Sequence, residues 1–171
     1  MSKITRRSFI QKAGIYGASG AVVGAGLPGR IGKSVNAQVA PDWLELTKEV
    51  AIEPALPIID PHHHFWDRPN NRYMLEDLLE DTAAHNVRQT VFVECTSMYR
   101  ADGPEDLKVI GETEFVQGIA AKSASGSYGD MRVASGIVGS ADLTLGDGVV
   151  PVLEAHIAAS PQRFRGIRHR A

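Results

Sequence analysis

The sequence predicts an α/β fold with a parallel sheet, of the barrel type rather than the doubly wound type. Apolar and helical patterns alternate in the order β, α, β, α, β, α, β, with connections of crossover length, as right-handed βαβ units require. The second apolar run, Gln89 to Cys95, is almost continuously β-branched or aromatic, as in a strand buried on both faces. Polar residues mark the end of each predicted strand: His62 and His64, Glu94, Asp142 a little beyond the third, then Arg168 and His169. Sites in parallel α/β folds sit at strand C-termini, and four strands marked this way fit a barrel better than a doubly wound sheet. No glycine-rich phosphate turn follows the first strand, which also weighs against a nucleotide fold.

The elements follow from local pattern. Pro41 to Glu53 reads as a short amphipathic helix with Trp43, Leu44, Leu46 and Val50 available to pack, ended by Pro54 and Pro57. The first strand runs from Ile58 to about His62, and Arg68 to Tyr73 reads as a polar loop. Met74 to His85 is a predicted helix with Leu75, Leu78, Leu79 and Thr82 on one face. After the strand at Gln89–Cys95 comes a loop to Pro104 containing Tyr99, Arg100 and Asp102. A long helix then runs to about Ala124, carrying Leu107, Ile110, Phe115 and Ile119. The third strand covers about Arg132 to Gly139, and Asp142 to Gly148 is a turn. Val149 to Ala159 is a helix ended by Ser160-Pro161, and Phe164 to Arg168 is the fourth strand.

The first 37 residues carry six basic side chains and no acid. Thr5-Arg6-Arg7-Ser8-Phe9-Ile10 is a twin-arginine pattern, followed by a weakly apolar glycine-rich run and then Val35-Asn36-Ala37 before Gln38. That is the layout of an export signal read by the twin-arginine machinery, which places the mature protein in the periplasm or outside the cell. The apolar run is too short and too rich in glycine for a stable membrane anchor. Gly24-Ala25-Gly26-Leu27-Pro28-Gly29 matches a dinucleotide motif only in letters, since no strand precedes it and Pro28 falls where a helix interior would be.

The whole chain has 171 residues, 18 basic and 20 acidic, for a net charge of -2. Removing the basic leader leaves 12 basic residues against 20 acidic ones, which argues against nucleic acid as a partner. The lone Cys95 excludes an intrachain disulfide and a multi-cysteine zinc site, and is most simply a small core residue.

The chemistry concentrates in Asp60-Pro61-His62-His63-His64-Phe65-Trp66-Asp67, which holds three of the six histidines. Strand alternation sets Asp60, His62 and His64 on one side and His63 on the other. Two imidazoles so placed can share a divalent metal or one substrate oxygen. His63, of opposite parity, is structural, and His85 and His156 on helices are structural or solvated. Glu94, at the end of an apolar strand, needs a partner and is either a site group or half of an ion pair. Arg168 is a bidentate carboxylate binder or a surface cation. Gly166 and Arg168 point to one side of the fourth strand, Ile167 and His169 to the other.

The stretch Ile59 to Asp67 resembles the first-strand motif of the amidohydrolase-related (amidohydrolase 2) family. Phe92-Val93-Glu94-Cys95, Gly136-Ile137-Val138-Gly139 and Phe164-Arg165-Gly166-Ile167-Arg168-His169 resemble its next three strand segments. The likeness covers residues 56–171, after a signal at 1–37 and a lead-in at 38–55, and is nearest to the lactone hydrolases acting on sugar lactones or dicarboxylate pyrones. It implies a (β/α)8 barrel of the metal-dependent hydrolase kind. Its catalytic H-x-H falls on His62 and His64, with Arg168, His169 and Glu94 as substrate-binding residues. The substrate expected from the resemblance is a small, anionic molecule cleaved at a C–O or C–N bond. Either one divalent metal, zinc or manganese, sits on His62 and His64, or the pair hydrogen-bonds substrate without a metal while a late acid activates water. Non-oxidative decarboxylation of an aromatic acid is the alternative chemistry for the same barrel. Such a barrel takes about 250 residues, so the chain is expected to supply its N-terminal half, with strands one and four as open edges, as part of a longer protein or as an inactive half-barrel.

Overall fold

The computed structural model describes residues 49–170. The export signal and most of the expected lead-in helix lie outside these residues. The described end of that helix, residues 49–53, is not helical, and Val50 and Ile52 are almost fully exposed. Among the described residues nothing apolar covers them, so helix propensity has no burial there to reinforce it.

Four strands form one parallel sheet: β1 (Ile58–His63), β4 (Val87–Val93), β5 (Arg132–Ser140) and β6 (Phe164–Arg168), in the order β1-β4-β5-β6. The order is sequential, so the sheet has no point at which strand order reverses. Between strands lie α1 (Leu75–Thr82), α2 (Ile110–Ala124) and α3 (Val150–Ala159). All four predicted strands and the three crossover helices are present. β1 and β6 are the edges.

Three predicted elements differ. The segment expected as a loop at Arg68–Tyr73 contributes to a small antiparallel hairpin, β2 (Trp66–Arg68) and β3 (Asn71–Tyr73). Its two-residue turn is Pro69-Asn70, with Asn70 at φ 60, an order of residues that suits a type II turn. Strands of three residues are too short to show alternation, so only that dipeptide signals them. The second strand ends at Val93, leaving Glu94 and Cys95 beyond it. The long helix is split, with a 3-10 turn at Glu105–Leu107 before α2 begins at Ile110.

The largest departure is in β1. Asp60 pairs with Thr90 and His63 with Phe92, so three steps along β1 match two along β4. This is a β-bulge at Pro61-His62. Pro61 has no N–H to give the ladder, and the His62 N–H turns instead to Asp60 Oδ1 at 3.1 Å. The extra residue corrects the expected alternation: Asp60 shares the face of His63, not that of His62 and His64.

The main core lies between the sheet and α1 and α2, and includes Phe65, Leu75, Leu78, Phe92, Val116 and Ile137. A second cluster of Ile110, Ala141 and Val152, with Ile167 against it, joins α2, α3 and β6. The other sheet face is more open: Ile59 is 63% exposed, Gln89 and Arg165 are exposed, and Val91 is half-buried.

His156 of α3 is completely buried in the helix layer. Its Nε2 lies 2.8 Å from the Ser140 carbonyl and therefore carries the proton. Its Nδ1 accepts from the Thr113 hydroxyl at 2.8 Å, and the ring stacks on Phe164. A Cβ at Gly139 would stand 2.7 Å from this ring, so the strand must be bare at that point. At Gly166 a Cβ would meet nothing within 4 Å. Gly139→Ala is expected to cost about 1–3 kcal/mol through overpacking, while Gly166→Ala costs nothing or stabilises slightly. Urea denaturation of the two variants beside the wild type checks the contrast.

Candidate functional site

The C-terminal ends of β1, β4, β5 and β6 lie on one rim, and the polar residues gather there. Beyond the bulge, the rings of His62 and His64 face each other edge-on, with their Nε2 atoms 3.2 Å apart. His64 Nδ1 is 2.7 Å from the Val93 carbonyl, which can only accept, so Nδ1 is protonated. In neutral His64 the Nε2 then holds a lone pair, and His62 Nε2–H donates to it. The tautomers are assigned by these bonds. Burial lowers the pKa of His64, as do the charges of His62 and Arg168. The Val93 hydrogen bond and Glu94 oppose them.

A divalent metal 2.0–2.1 Å from each imidazole would hold two nitrogens about 3.3 Å apart at tetrahedral geometry. The pair therefore fits as two ligands of such an ion, with the Val93 carbonyl orienting one ring from behind. Among the described residues no group of three or more His, Cys, Asp or Glu side chains gathers to hold a metal.

His63 points into the core, as its parity implied. It is buried, its Nε2 lies 2.8 Å from Thr90 Oγ1, and its ring packs edge-on against Phe65 and Phe92. The same Thr90 oxygen accepts from Ala134 N–H, joining β1, β4 and β5.

Glu94 is completely buried and forms the ion pair that its place at the end of an apolar strand calls for, as the centre of an ion cluster. Its Oε1 accepts from Arg168 Nε at 2.6 Å and Arg170 Nε at 2.8 Å, and Oε2 accepts from Arg170 Nη2 at 2.9 Å. Its backbone carbonyl accepts from Arg168 Nη2 at 2.7 Å. The two arginine side chains remain 37% and 49% exposed, so one carboxylate serves two cations whose side chains are partly open to solvent. Arg170 carries no sequence signal for this role, because contact across 76 residues has no local signature.

His169 turns away from this cluster. Its Nδ1 accepts from Leu143 N–H at 3.3 Å and lies 3.8 Å from Asp142. Asp142 caps the 3-10 turn Leu143–Val149 by accepting from Thr144, and those hydrogen bonds lower its pKa. Arg100 pairs with Glu114 on the surface, and His85 is exposed. Cys95 is inert: burial and the neighbouring Glu112 push its thiol up to about 12, and it donates to the Phe65 carbonyl.

Two more groups belong to the rim. Glu112, in the first turn of α2, is buried, and its Oε1 accepts from the backbone N–H of Cys95 at 2.9 Å and Ser97 at 2.8 Å. Its placement on the face of Val116, Ile119 and Ser123 follows helical spacing, which was the available signal. Tyr99 is half-buried, and burial raises its pKa first, with Glu112 and Glu94 adding to the shift.

The lowered values at His64 and His156, each led by burial, set an acid limit on stability. Both groups stay neutral in the fold at pH values where the unfolded chain, near 6.5, takes up protons. Their contribution is complete above that value and is lost as pH falls below it toward the folded values. Urea midpoints are expected to be level from pH 8 to 7 and to drop between 6.5 and 5, with His156→Gln showing a shallower drop.

No described helix is long and apolar enough to cross a membrane. No protein-family model, curated protein or solved structure matches this chain.

Proposed function

We propose that this chain provides the first four βα units of a (β/α)8 barrel hydrolase of the amidohydrolase-related kind, acting on a small anionic lactone or amide. The observation that carries the reading is the convergence at one sheet end: His62 and His64 follow β1, Glu94 follows β4, and Arg168 ends β6. The sequential strand order supports a barrel, because successive crossovers of one hand keep their helices on one face and leave the other to line an interior. Val91, Gly136 and Arg165 stand together on one side of the sheet and would, in this reading, face that interior.

The roles follow from the hydrogen bonds. His62 donates through Nε2, so a substrate carbonyl oxygen that displaces His64 as acceptor would be polarised there and its developing negative charge stabilised. His64, kept neutral by burial, offers an Nε2 lone pair to a water or its proton. Arg168 and Arg170 share one carboxylate and leave a net positive charge that suits an anionic substrate. A divalent ion, zinc or manganese, would be held through the same two Nε2 atoms, completed by donors beyond the described residues. It would supply Lewis-acid polarisation and an acidified water. The water-activating acid expected from the family comes, in this reading, from the strands that complete the barrel.

The test is a screen of sugar lactones, a pyrone dicarboxylate and aromatic acids, with and without added zinc or manganese. Ring opening is expected, and His62→Ala and His64→Ala should each lower kcat/KM by about 10²–10⁴-fold without loss of folding. Turnover confined to aromatic acids, with carbon dioxide release, would replace hydrolysis with decarboxylation. Histidine variants as active as the wild type would end the assignment of the site.

The Arg6-Arg7 pair supports export to the periplasm by the twin-arginine route. Replacing both by lysine is expected to retain the protein in the cytoplasm, as read by cell fractionation. Unchanged distribution would count against that route.

A further inference from the structure

Thr90 stands where the sheet is irregular on both sides of β4. Toward β1 it pairs with Asp60, the last residue before the bulge at Pro61-His62. Toward β5, the two steps from Gln89 to Val91 span the four from Arg132 to Gly136, so β5 bulges at the same level. In that second bulge the buried Ala134 takes φ 51, a left-handed conformation that persists only where the surroundings impose it. Its N–H goes to a side chain, the Thr90 hydroxyl oxygen at 2.9 Å. The same oxygen lies 2.8 Å from His63 Nε2. Among the described residues this hydroxyl has no third hydrogen-bond partner. Its one proton therefore goes to His63 Nε2, and neutral His63 carries its own proton on Nδ1. One buried hydroxyl thus takes a donor from the bulge of β5 and gives its proton to the residue that closes the bulge of β1.

His63 is the residue between the two that face the rim. Successive side chains of an extended segment point opposite ways, so the inward setting of His63 fixes the outward setting of His62 and His64. The inward ring is held by packing against Phe65 and Phe92 and by one side-chain hydrogen bond from Thr90. On either side of it, His62 N–H rests on Asp60 Oδ1 and His64 Nδ1 on the Val93 carbonyl, and the two outer rings meet at 3.2 Å. Bulges re-aim side chains beside active sites, and here a single hydroxyl fastens two of them. Resting on the hydrolase reading above, we propose that Thr90, acting through His63, is the positioning residue that aims the His62–His64 pair at the rim.

The test uses the full chain as wild type, Thr90→Val and Thr90→Ser, with pyrone dicarboxylate as substrate. Imidazole tautomers are read from nitrogen-15 correlations of the ring protons, and kcat and KM are measured beside urea midpoints. In the wild type, His63 and His64 should be protonated on Nδ1 and His62 on Nε2. Thr90→Val keeps the shape and removes the hydroxyl. It should turn the single tautomers of His62 and His64 into mixtures and lower kcat by about 10²-fold, as misplaced catalytic groups do, with KM little changed. Thr90→Ser, which keeps the hydroxyl, should restore both readouts. His63 protonated on Nε2 in the wild type overturns the inference, and that measurement stands even if Thr90→Val does not fold. A lower urea midpoint in Thr90→Val with the His62 and His64 tautomers unchanged makes the residue merely structural and overturns it too, as does an equal loss in Thr90→Ser. Mixed tautomers in Thr90→Val, with no turnover by the wild type, support the positioning role and sink the hydrolase reading. Equal turnover by wild type and Thr90→Val does the reverse.

Discussion

The missing N–H of Pro61 sets the character of the site. Without it, the ladder of β1 against β4 is interrupted, and the strand takes up one extra residue between Asp60 and His63 before pairing resumes. That single slip decides which histidines face the rim. His63 is carried into the core, onto the Thr90 hydroxyl and between Phe65 and Phe92. His62 and His64 are left facing each other beyond the bulge, and Asp60 accepts from the His62 backbone N–H. A regular strand would have grouped Asp60 with the outer pair and offered an acid beside two bases. The bulge separates them, so the pair works as two imidazoles oriented by a backbone carbonyl.

Charge at the rim is organised by burial. Glu94 is inaccessible and has two guanidiniums for company, and both arginine side chains are partly open to solvent. Removing such a carboxylate from water is tolerable only when it is fully hydrogen-bonded, and both its oxygens and its own carbonyl are engaged. The cluster ties the end of β4 to the end of β6 across β5. Glu112 does the corresponding work for the backbone, spending a buried carboxylate oxygen on two loop N–H groups. One acid therefore fixes side chains and the other fixes a loop.

Much of this was legible in one dimension. The four strands and three crossover helices follow from apolar periodicity and from Gly, Pro and Ser punctuation, because burial on a sheet and along a helix stripe imposes those periods directly. The parity that parts His62 and His64 from His63, and Arg168 from His169, also survives, since each pair lies within one strand or just past it. The hairpin at Trp66–Tyr73 and the split before α2 were not legible. Three-residue strands have no period, and the 3-10 turn reflects how the loop must descend onto Gly111.

By itself the sequence determined the order of elements, the parallel sheet, and the placing of histidines, an acid and an arginine at strand ends. Each of these depends on residues near in sequence, where backbone geometry and hydrophobic period are enough. Only the tertiary structure decided that Glu94 holds both Arg168 and Arg170, that Glu112 clasps the loop of Tyr99, and that Asp60 leaves the face of the working pair. Those outcomes turn on contacts 15 to 76 residues apart and on one bulge in register, and packing, not local preference, selects among such partners.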